Sequence, residues 1–378
     1  MSLRERMNKS AVDENDSSLF TTYGINNNPF PAAGRPSENP RLENTLDDKI
    51  AERFREFETS DRPSQIVVIE GTQGTGKTNL LNYYEEQFRQ YYEEDEDVYI
   101  IRHYQDPEPN FDAIVRRIFQ NLDEPHFKRL AEKLAALPPT ERDKVKEIVR
   151  NFDVRIALNG LQKAVADDNL DEAARLALEW FGGLRILKQH RVVLGVNYRL
   201  DTVEARTQAL RDIIYVSEKL GILKGMLLLL DELEKQDYSM SKTPVLRFLS
   251  AIRALIDALP RCLFLILAMT PGARSRYFAM LPALEGRLQD RLVIQPIKSF
   301  DEAEKLYNFY VEHERRVART DSNNASEQAG DKALFNQEEL RKIFNTQVAA
   351  ADDRGTEGVT PRNLLHALYE GWNAKRKD

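Results

Sequence analysis

The chain has 378 residues, 42% hydrophobic and 30% charged, with 54 basic against 61 acidic residues and a formal net charge of −7. That composition excludes a disordered chain and a surface coated with cations for nonspecific nucleic-acid binding, while permitting a local basic patch. A lone cysteine, Cys262, excludes a disulfide framework, the five histidines show no metal-ligand spacing, and neither an apolar leader nor a run of about 18 apolar residues occurs, which predicts a cytoplasmic protein that enters no membrane.

Residues 1–18 are polar and acidic without a periodic apolar face, which predicts a disordered N-terminus. Tyr23–Pro31 mixes aromatic residues with turn formers and reads either as an extended arm whose apolar side chains dock or as a loose surface loop. Leu46, Ile50, Phe54 and Phe57 then stand at helical spacing.

Gln65–Glu70 is a β-branched run that stops at Gly71 and opens the segment Gly71-Thr72-Gln73-Gly74-Thr75-Gly76-Lys77-Thr78, which fits G-x-x-x-x-G-K-[ST]. Backbone N–H groups must turn inward around phosphate oxygens, and residues without a Cβ let the backbone close in. Lys77 is expected to reach the β- and γ-phosphates of ATP, and Thr78 to offer its hydroxyl to Mg²⁺ while a helix continues through Asn79. A chance Gly-rich turn would lack the strand before it and the helix after it.

Glu93–Asp97 reads as a solvated acidic turn before a strand at 98–102. The next strand candidate begins at 226, whereas a parallel crossover needs only about a dozen residues. The text between about 112 and 220 is helical throughout and has no repeat of fixed period, so a large helical insertion is expected there. Strands at 226–230, 263–269 and 292–296 follow, with Thr243-Pro244 opening a helix between the first two. Beyond Ser299 the chain is helical, with capping boxes at Ser299/Glu302 and Asn336/Glu339 and a polar loop over Thr320–Lys332. The expected fold is therefore α/β: a P-loop NTPase with a five-stranded parallel sheet, its core at 19–298, and a small helical lid at 299–378.

Asp231 and Glu232 follow the strand at 226–230, at the carboxyl end where parallel sheets hold ligands. Asp231 is expected to hold Mg²⁺ through its water shell and Glu232 to deprotonate the attacking water; the alternative is a solvated acidic cap. Thr270 ends the next strand and is a candidate to sense the γ-phosphate or hold the water. Arg287 and Arg291 stand before the last strand, either as arginines offered to a neighbouring subunit's nucleotide or as surface ion pairs. Thr360-Pro361-Arg362 caps and opens the last helix, giving Arg362 a fixed direction suited to the phosphates, unless it is a plain surface arginine.

Together these motifs resemble the AAA+ ATPases, specifically the branch of the origin-recognition initiators. The resemblance implies ATP and Mg²⁺ as cofactors, assembly through the nucleotide sites, and a position near adenine for the arm Asn28-Pro29-Phe30. Trp180-Phe-Gly-Gly183 followed by Arg206–Glu234 is similar to the ATP-binding proteins of BREX-type bacterial phage defence. The departures are Thr270, where initiators often carry asparagine, the long insertion, and no evident winged-helix domain after Arg362.

The function expected is a Mg²⁺-dependent ATPase acting as an oligomeric switch in a DNA-linked process, with phage defence as the setting that the resemblance implies. Its rivals are a slowly hydrolysing regulator that recruits a protein partner through the insertion, and a protein-threading remodeller, for which no aromatic pore loop is evident. Candidate DNA contacts are Arg185, Lys188, His190 and Arg191; Arg315, Arg316 and Arg319; and Lys375-Arg376-Lys377. Each patch reads equally as a solvated helix face or tail.

Overall fold

The computed structural model of the chain describes residues 17–31, 45–104, 110–238, 241–321 and 329–376. The expected disordered stretch lies outside the described residues as far as position 16, as do 322–328 of the polar loop and Lys377. In chain order the first elements are helices α1 (Ser17–Tyr23) and α2 (Thr45–Phe57), strand β1 (Gln65–Glu70), helix α3 (Lys77–Tyr91) and strand β2 (Val98–Tyr104). Helices α4 (Phe111–Ala136), α5 (Pro139–Glu147), α6 (Phe152–Ala166) and α7 (Leu170–Phe181) follow, then a π-helical turn at His190–Leu194 and helix α8 (Val203–Lys219). Strand β3 (Gly225–Asp231), a 3₁₀ turn at Leu233–Tyr238, α9 (Lys242–Ala258) and β4 (Leu263–Met269) come next. The remainder is α10 (Pro271–Met280), α11 (Pro282–Glu285), β5 (Asp290–Val293), α12 (Phe300–Asp321), α13 (Gln337–Asp353) and α14 (Pro361–Lys375).

The five strands form one sheet in the order β2-β3-β4-β1-β5, with every neighbouring pair parallel. Every residue of β3 and β4 is buried, whereas the edge strands β2 and β5 are partly exposed. Crossovers between parallel strands place helices on the faces of a sheet, which is why the leucine-rich runs at its centre need no polar alternation. In register, Glu70 lies opposite Met269 and Leu230 opposite Leu267, so β1, β3 and β4 bring Glu70, Asp231 and Thr270 to one edge of the sheet.

Several element boundaries differ from expectation: β2 runs on to Tyr104, and β3 takes in Gly225 and Asp231. The last strand runs from Asp290 to Val293, earlier than 292–296, because it pairs with β1 only from Val67↔Asp290 to Glu70↔Val293. Arg291 therefore lies within the strand rather than before it. The first helix begins at Ser17, inside the stretch expected to be disordered.

The chain divides into two compact units: Thr45–Glu70 with Leu81–Val293, and Met1–Asn44 with Gly71–Leu80 and Ile294–Asp378. The first holds the sheet and the helices between β2 and β3, whose apolar residues make a single core with the strands, from Ile101 and Phe119 through Trp180 to Leu228 and Leu265. These helices are inserted in sequence but continuous with the sheet in packing. Asp212, fully buried, accepts the backbone N–H groups of Arg150 (3.0 Å) and Asn151 (2.8 Å) and the guanidinium of Arg211 (2.6 Å). Asn151 in turn caps α6, so one buried carboxylate fixes the turn between α5 and α6 against α8.

In the second unit Phe30 is fully buried and packs on Tyr307 and Phe335, at ring separations of 5.6 and 6.1 Å, within the core that contains Trp372. Gly330 and Lys332 donate backbone N–H groups to Phe20 and Thr22, and Arg315 donates to the Tyr23 carbonyl, which ties α1 to α12 and the segment after it. The arm is thus docked by its aromatic side chains. Both expected capping boxes form: Glu302 accepts from Ser299 N–H while Ser299 accepts from Glu302 N–H, and Asn336 and Glu339 do the same.

A pH dependence follows from His126 on α4, which is held between the Tyr99 hydroxyl (2.7 Å) and Ser217 Oγ (2.9 Å). Burial pushes its pKa down from 6.5 to about 4, so the unfolded chain binds more protons than the folded one throughout that window. Stability contributed by the neutral imidazole is present above the unfolded pKa and is lost as pH falls toward the folded one, a total of up to about 3 kcal/mol. Urea midpoints measured between those pH values should fall with acidification, and more shallowly in His126→Gln.

Candidate functional site

The phosphate-loop motif folds as a turn whose backbone conformations require glycine at two points: φ is +85° at Gly74 and +99° at Gly76. Thr75 closes the turn, donating its N–H and its hydroxyl to the Thr72 carbonyl at 3.3 and 2.8 Å. Lys77 begins α3 and is buried, with Nζ 2.9 Å from the Gly71 carbonyl and 3.4 Å from that of Thr72. The ammonium is thereby bound across the mouth of the loop that carries it. Thr78 and the flanking Thr72 and Gln73 are exposed.

Within the same unit the loop touches the start of α14. Thr360 caps that helix by accepting from Asn363 N–H, Pro361 takes its first position, and Arg362 donates its backbone N–H to the Gly74 carbonyl at 3.2 Å. A Cβ on Gly74 would stand 3.2 Å from the Arg362 Cβ and 3.3 Å from Thr360 Oγ1, so a side chain there would add a tight contact to a strained backbone. The arm residue Asn28 is engaged elsewhere, its amide donating to the Tyr369 carbonyl and to Asn373 Oδ1, while Phe30 is committed to the core. A stacking role for Phe30 would need that core to open, and Pro29 beside it is buried as well.

In the sheet unit, Asp231 ends β3 fully buried. Its Oδ2 accepts from Arg102 on β2 at 2.7 Å, and its Oδ1 from the Glu232 N–H at 2.8 Å. Glu232 has φ of +54°, a conformation that costs a side-chain-bearing residue free energy and clusters at functional sites. Its carboxylate is paired with Lys235 at 2.5 Å and is 37% exposed, so it is presented at the strand end rather than sealed in. Thr270 caps α10, accepting Ala273 N–H at 3.2 Å, which leaves its hydroxyl proton to donate. Hydroxyl and carboxylate oxygens such as those of Thr78 and Asp231 suit Mg²⁺. Among the described residues no group of three or more His, Cys, Asp or Glu side chains could hold a metal.

Three residues that sequence reasoning missed complete the strand ends. Arg102 lies on β2 beside Asp231, and Glu70, 3% exposed at its side chain, ends β1 in contact with two arginines. Arg291 grips Glu70 through Nε at 2.6 Å and Nη2 at 2.8 Å, and Arg274 on α10 approaches at 3.6 Å. A charged residue closing an apolar run was the visible signal for both Arg102 and Glu70. Arg287 forms a two-point pair with Asp257, at 2.6 and 3.1 Å. Both arginines offered for a neighbouring subunit are thus held in ion pairs within their own chain.

The basic patches are thinner than the sequence suggests. His190 is fully buried and bound by Leu187 N–H, and burial lowers its pKa, so it adds no charge beside the exposed Arg185, Lys188 and Arg191. Arg315 holds the carbonyls of Tyr23, Asp331 and Lys332, Lys375 pairs with Glu339 and the Leu334 carbonyl, and Arg316, Arg319 and Arg376 are engaged as well.

A family model described as "BREX system ATP-binding protein BrxC/D" matches residues 107–373, a span that starts after the phosphate loop and includes Asp231, Thr270 and Arg362. No curated protein matches the sequence. Among solved structures, the chain is similar to the ORC2 protein of Aeropyrum pernix in its ADP form, at 13% identity and a TM-score of 0.43, covering 93% of this chain and 73% of that one. It is also similar to Drosophila ORC bound to DNA, at 15% identity and a TM-score of 0.34, covering 98% and 74% of the two chains.

The Glu70 cluster generates a test of how Arg291 is used. Removing that partner leaves a buried carboxylate with only the longer Arg274 contact, so Arg291→Ala should lower unfolding stability by about 2 kcal/mol. Adding Glu70→Gln should recover most of the loss in denaturant titrations. A surface arginine held for a neighbouring subunit would show neither effect.

Proposed function

The chain belongs to the BREX system ATP-binding protein BrxC/D family, and from that premise we propose that it is a Mg²⁺-dependent AAA+ ATPase whose nucleotide state controls self-association in a DNA-linked defence process. The observation that carries this reading is the loop at Gly71–Thr78, with its two left-handed glycines and its buried lysine at the first residue of α3. Such a turn aims backbone N–H groups and the positive end of a helix at one anion, which fits a polyphosphate.

In this reading Lys77 exchanges its two carbonyl acceptors for oxygens of the β- and γ-phosphates, and backbone N–H groups of Thr72–Asn79 hold the rest of the chain of phosphates. Thr78 and Asp231 hold Mg²⁺, which when bound spreads the charge that builds on the phosphates during transfer. Glu232 releases Lys235 and accepts a proton from the attacking water, the step for which an exposed carboxylate on a fixed backbone is suited. Thr270 donates its remaining hydroxyl proton to that water or to the γ-phosphate, and Arg362 reaches the phosphates from the first turn of α14. Self-association would require Arg287 or Arg291 to leave its partner on the same chain before meeting a neighbour's nucleotide.

A second reading, a slowly hydrolysing module that recruits a protein through the helices between β2 and β3, is favoured by one observation. Leu184, Leu187, Val192 and Tyr198 are exposed beside Arg185, Lys188 and Arg191. Large exposed apolar side chains mark protein contacts more than phosphate contacts. Turnover that rises with duplex DNA, and a DNA affinity that falls steeply with salt, would favour the first reading. Turnover indifferent to DNA would favour the second.

Two variants test the nucleotide chemistry itself. Lys77→Ala should weaken ATP binding by on the order of a hundredfold or more, since a charge on two phosphates is lost. Glu232→Gln should bind ATP as the parent does and lose nearly all hydrolysis, because the amide keeps the size of the side chain without its basicity. Calorimetric binding and phosphate release, measured on the same preparations, separate the two effects.

A further inference from the structure

The contact between Arg102 and Asp231 is more than a structural tie. The two sit on neighbouring strands, with Arg102 opposite Leu229 and Tyr104 opposite Asp231, and the side chains are 6% and 0% exposed. A buried ion pair is normally stable only when its remaining donors and acceptors are satisfied. Here Nη2 alone does the bonding, to Asp231 at 2.7 Å and to Asn82 Oδ1 at 3.4 Å, while Nε and Nη1 are buried without an acceptor. The guanidinium lies 4.7 Å above the ring of Tyr104, which is itself half exposed. The arginine therefore holds the carboxylate with one nitrogen, keeps two donors unused, and has a half-exposed aromatic ring to slide across.

Resting on the nucleotide reading above, we propose that Arg102 is the counter-cation of Asp231 and competes with Mg²⁺ for it, so that loading of the metal with ATP is a displacement. A carboxylate already neutralised at 2.7 Å attracts a second cation weakly. Two cations cannot crowd one buried carboxylate without mutual repulsion, so the guanidinium would leave Asp231 by sliding further across the Tyr104 ring it already overlies, where its unused donors meet solvent. Arg102 is in this sense a positioning residue: it keeps Asp231 oriented, and it sets the metal concentration at which the site fills.

The test is the dependence of ATP affinity on Mg²⁺, measured by calorimetry on the full chain. Replacing Arg102 by methionine keeps the bulk and removes the competitor, so the Mg²⁺ concentration giving half of the full tightening should fall by about tenfold, the worth of one charge-assisted hydrogen bond. Arg102→Lys, with a cation but no planar fork, should shift it in the same direction by less. Asp231→Asn should abolish most of the Mg²⁺ effect whichever residue stands at 102. A folded Arg102→Met protein with the parent's Mg²⁺ midpoint overturns the proposal and leaves the pair structural. If that variant does not fold, an unshifted midpoint in Arg102→Lys overturns it equally. A parent that binds no ATP at any Mg²⁺ concentration overturns the nucleotide reading itself, which is a different result.

Discussion

A sheet buried on both faces has only its ends on which to carry charge, and this protein ends two of its three inner strands in carboxylates that stay out of water. Asp231 and Glu70 are both nearly inaccessible, and each is met by an arginine from an adjacent strand, Arg102 on β2 and Arg291 on β5. An unpaired carboxylate in such a place would take up a proton or destabilise the fold, so the arginines are as necessary to the strand ends as the leucines are to the strand middles. The chemistry available at this edge is decided by which of these cations can be exchanged for another.

What could be read in the sequence were the features that chemistry imposes locally. A phosphate cradle needs glycine, lysine and a hydroxyl at fixed offsets, and Gly74, Gly76, Lys77 and Thr78 stand in one continuous turn, so the motif and the fold built around it were legible together. The capping boxes of α12 and α13 and the cap of α14 were legible for the same reason, since each spans three residues. The pairing of Arg102 with Asp231 joins positions more than a hundred residues apart on neighbouring strands, and that of Arg291 with Glu70 spans more still. Neither partner announces the other. His190 illustrates the converse: within a run of cations it reads as one of them, and only the π-helical turn buries it and removes its charge.

The helices between β2 and β3 show how an inserted stretch can be long in sequence without being separate in energy. Had they formed an independent module, their apolar residues would close on themselves; instead Phe119, Phe181 and Trp180 share a core with Ile101 of β2 and Leu228 of β3. A partner seated on the exposed residues from Leu184 to Tyr198 would therefore press on α6 and α7, which pack on α4, the helix that meets β2.

The aromatic residues at the centres of the two units carry a spectroscopic consequence. The chain has two tryptophans, Trp180 in the core of the sheet unit and Trp372 in that of the other, each about 1% exposed or less. Excited selectively, each indole reports the polarity around itself, and phenylalanine at the other position silences its counterpart. The protein thus contains an intrinsic probe for each unit. Whether the units melt together or in sequence, and which of them ATP holds folded, can be read from emission spectra without attaching a label.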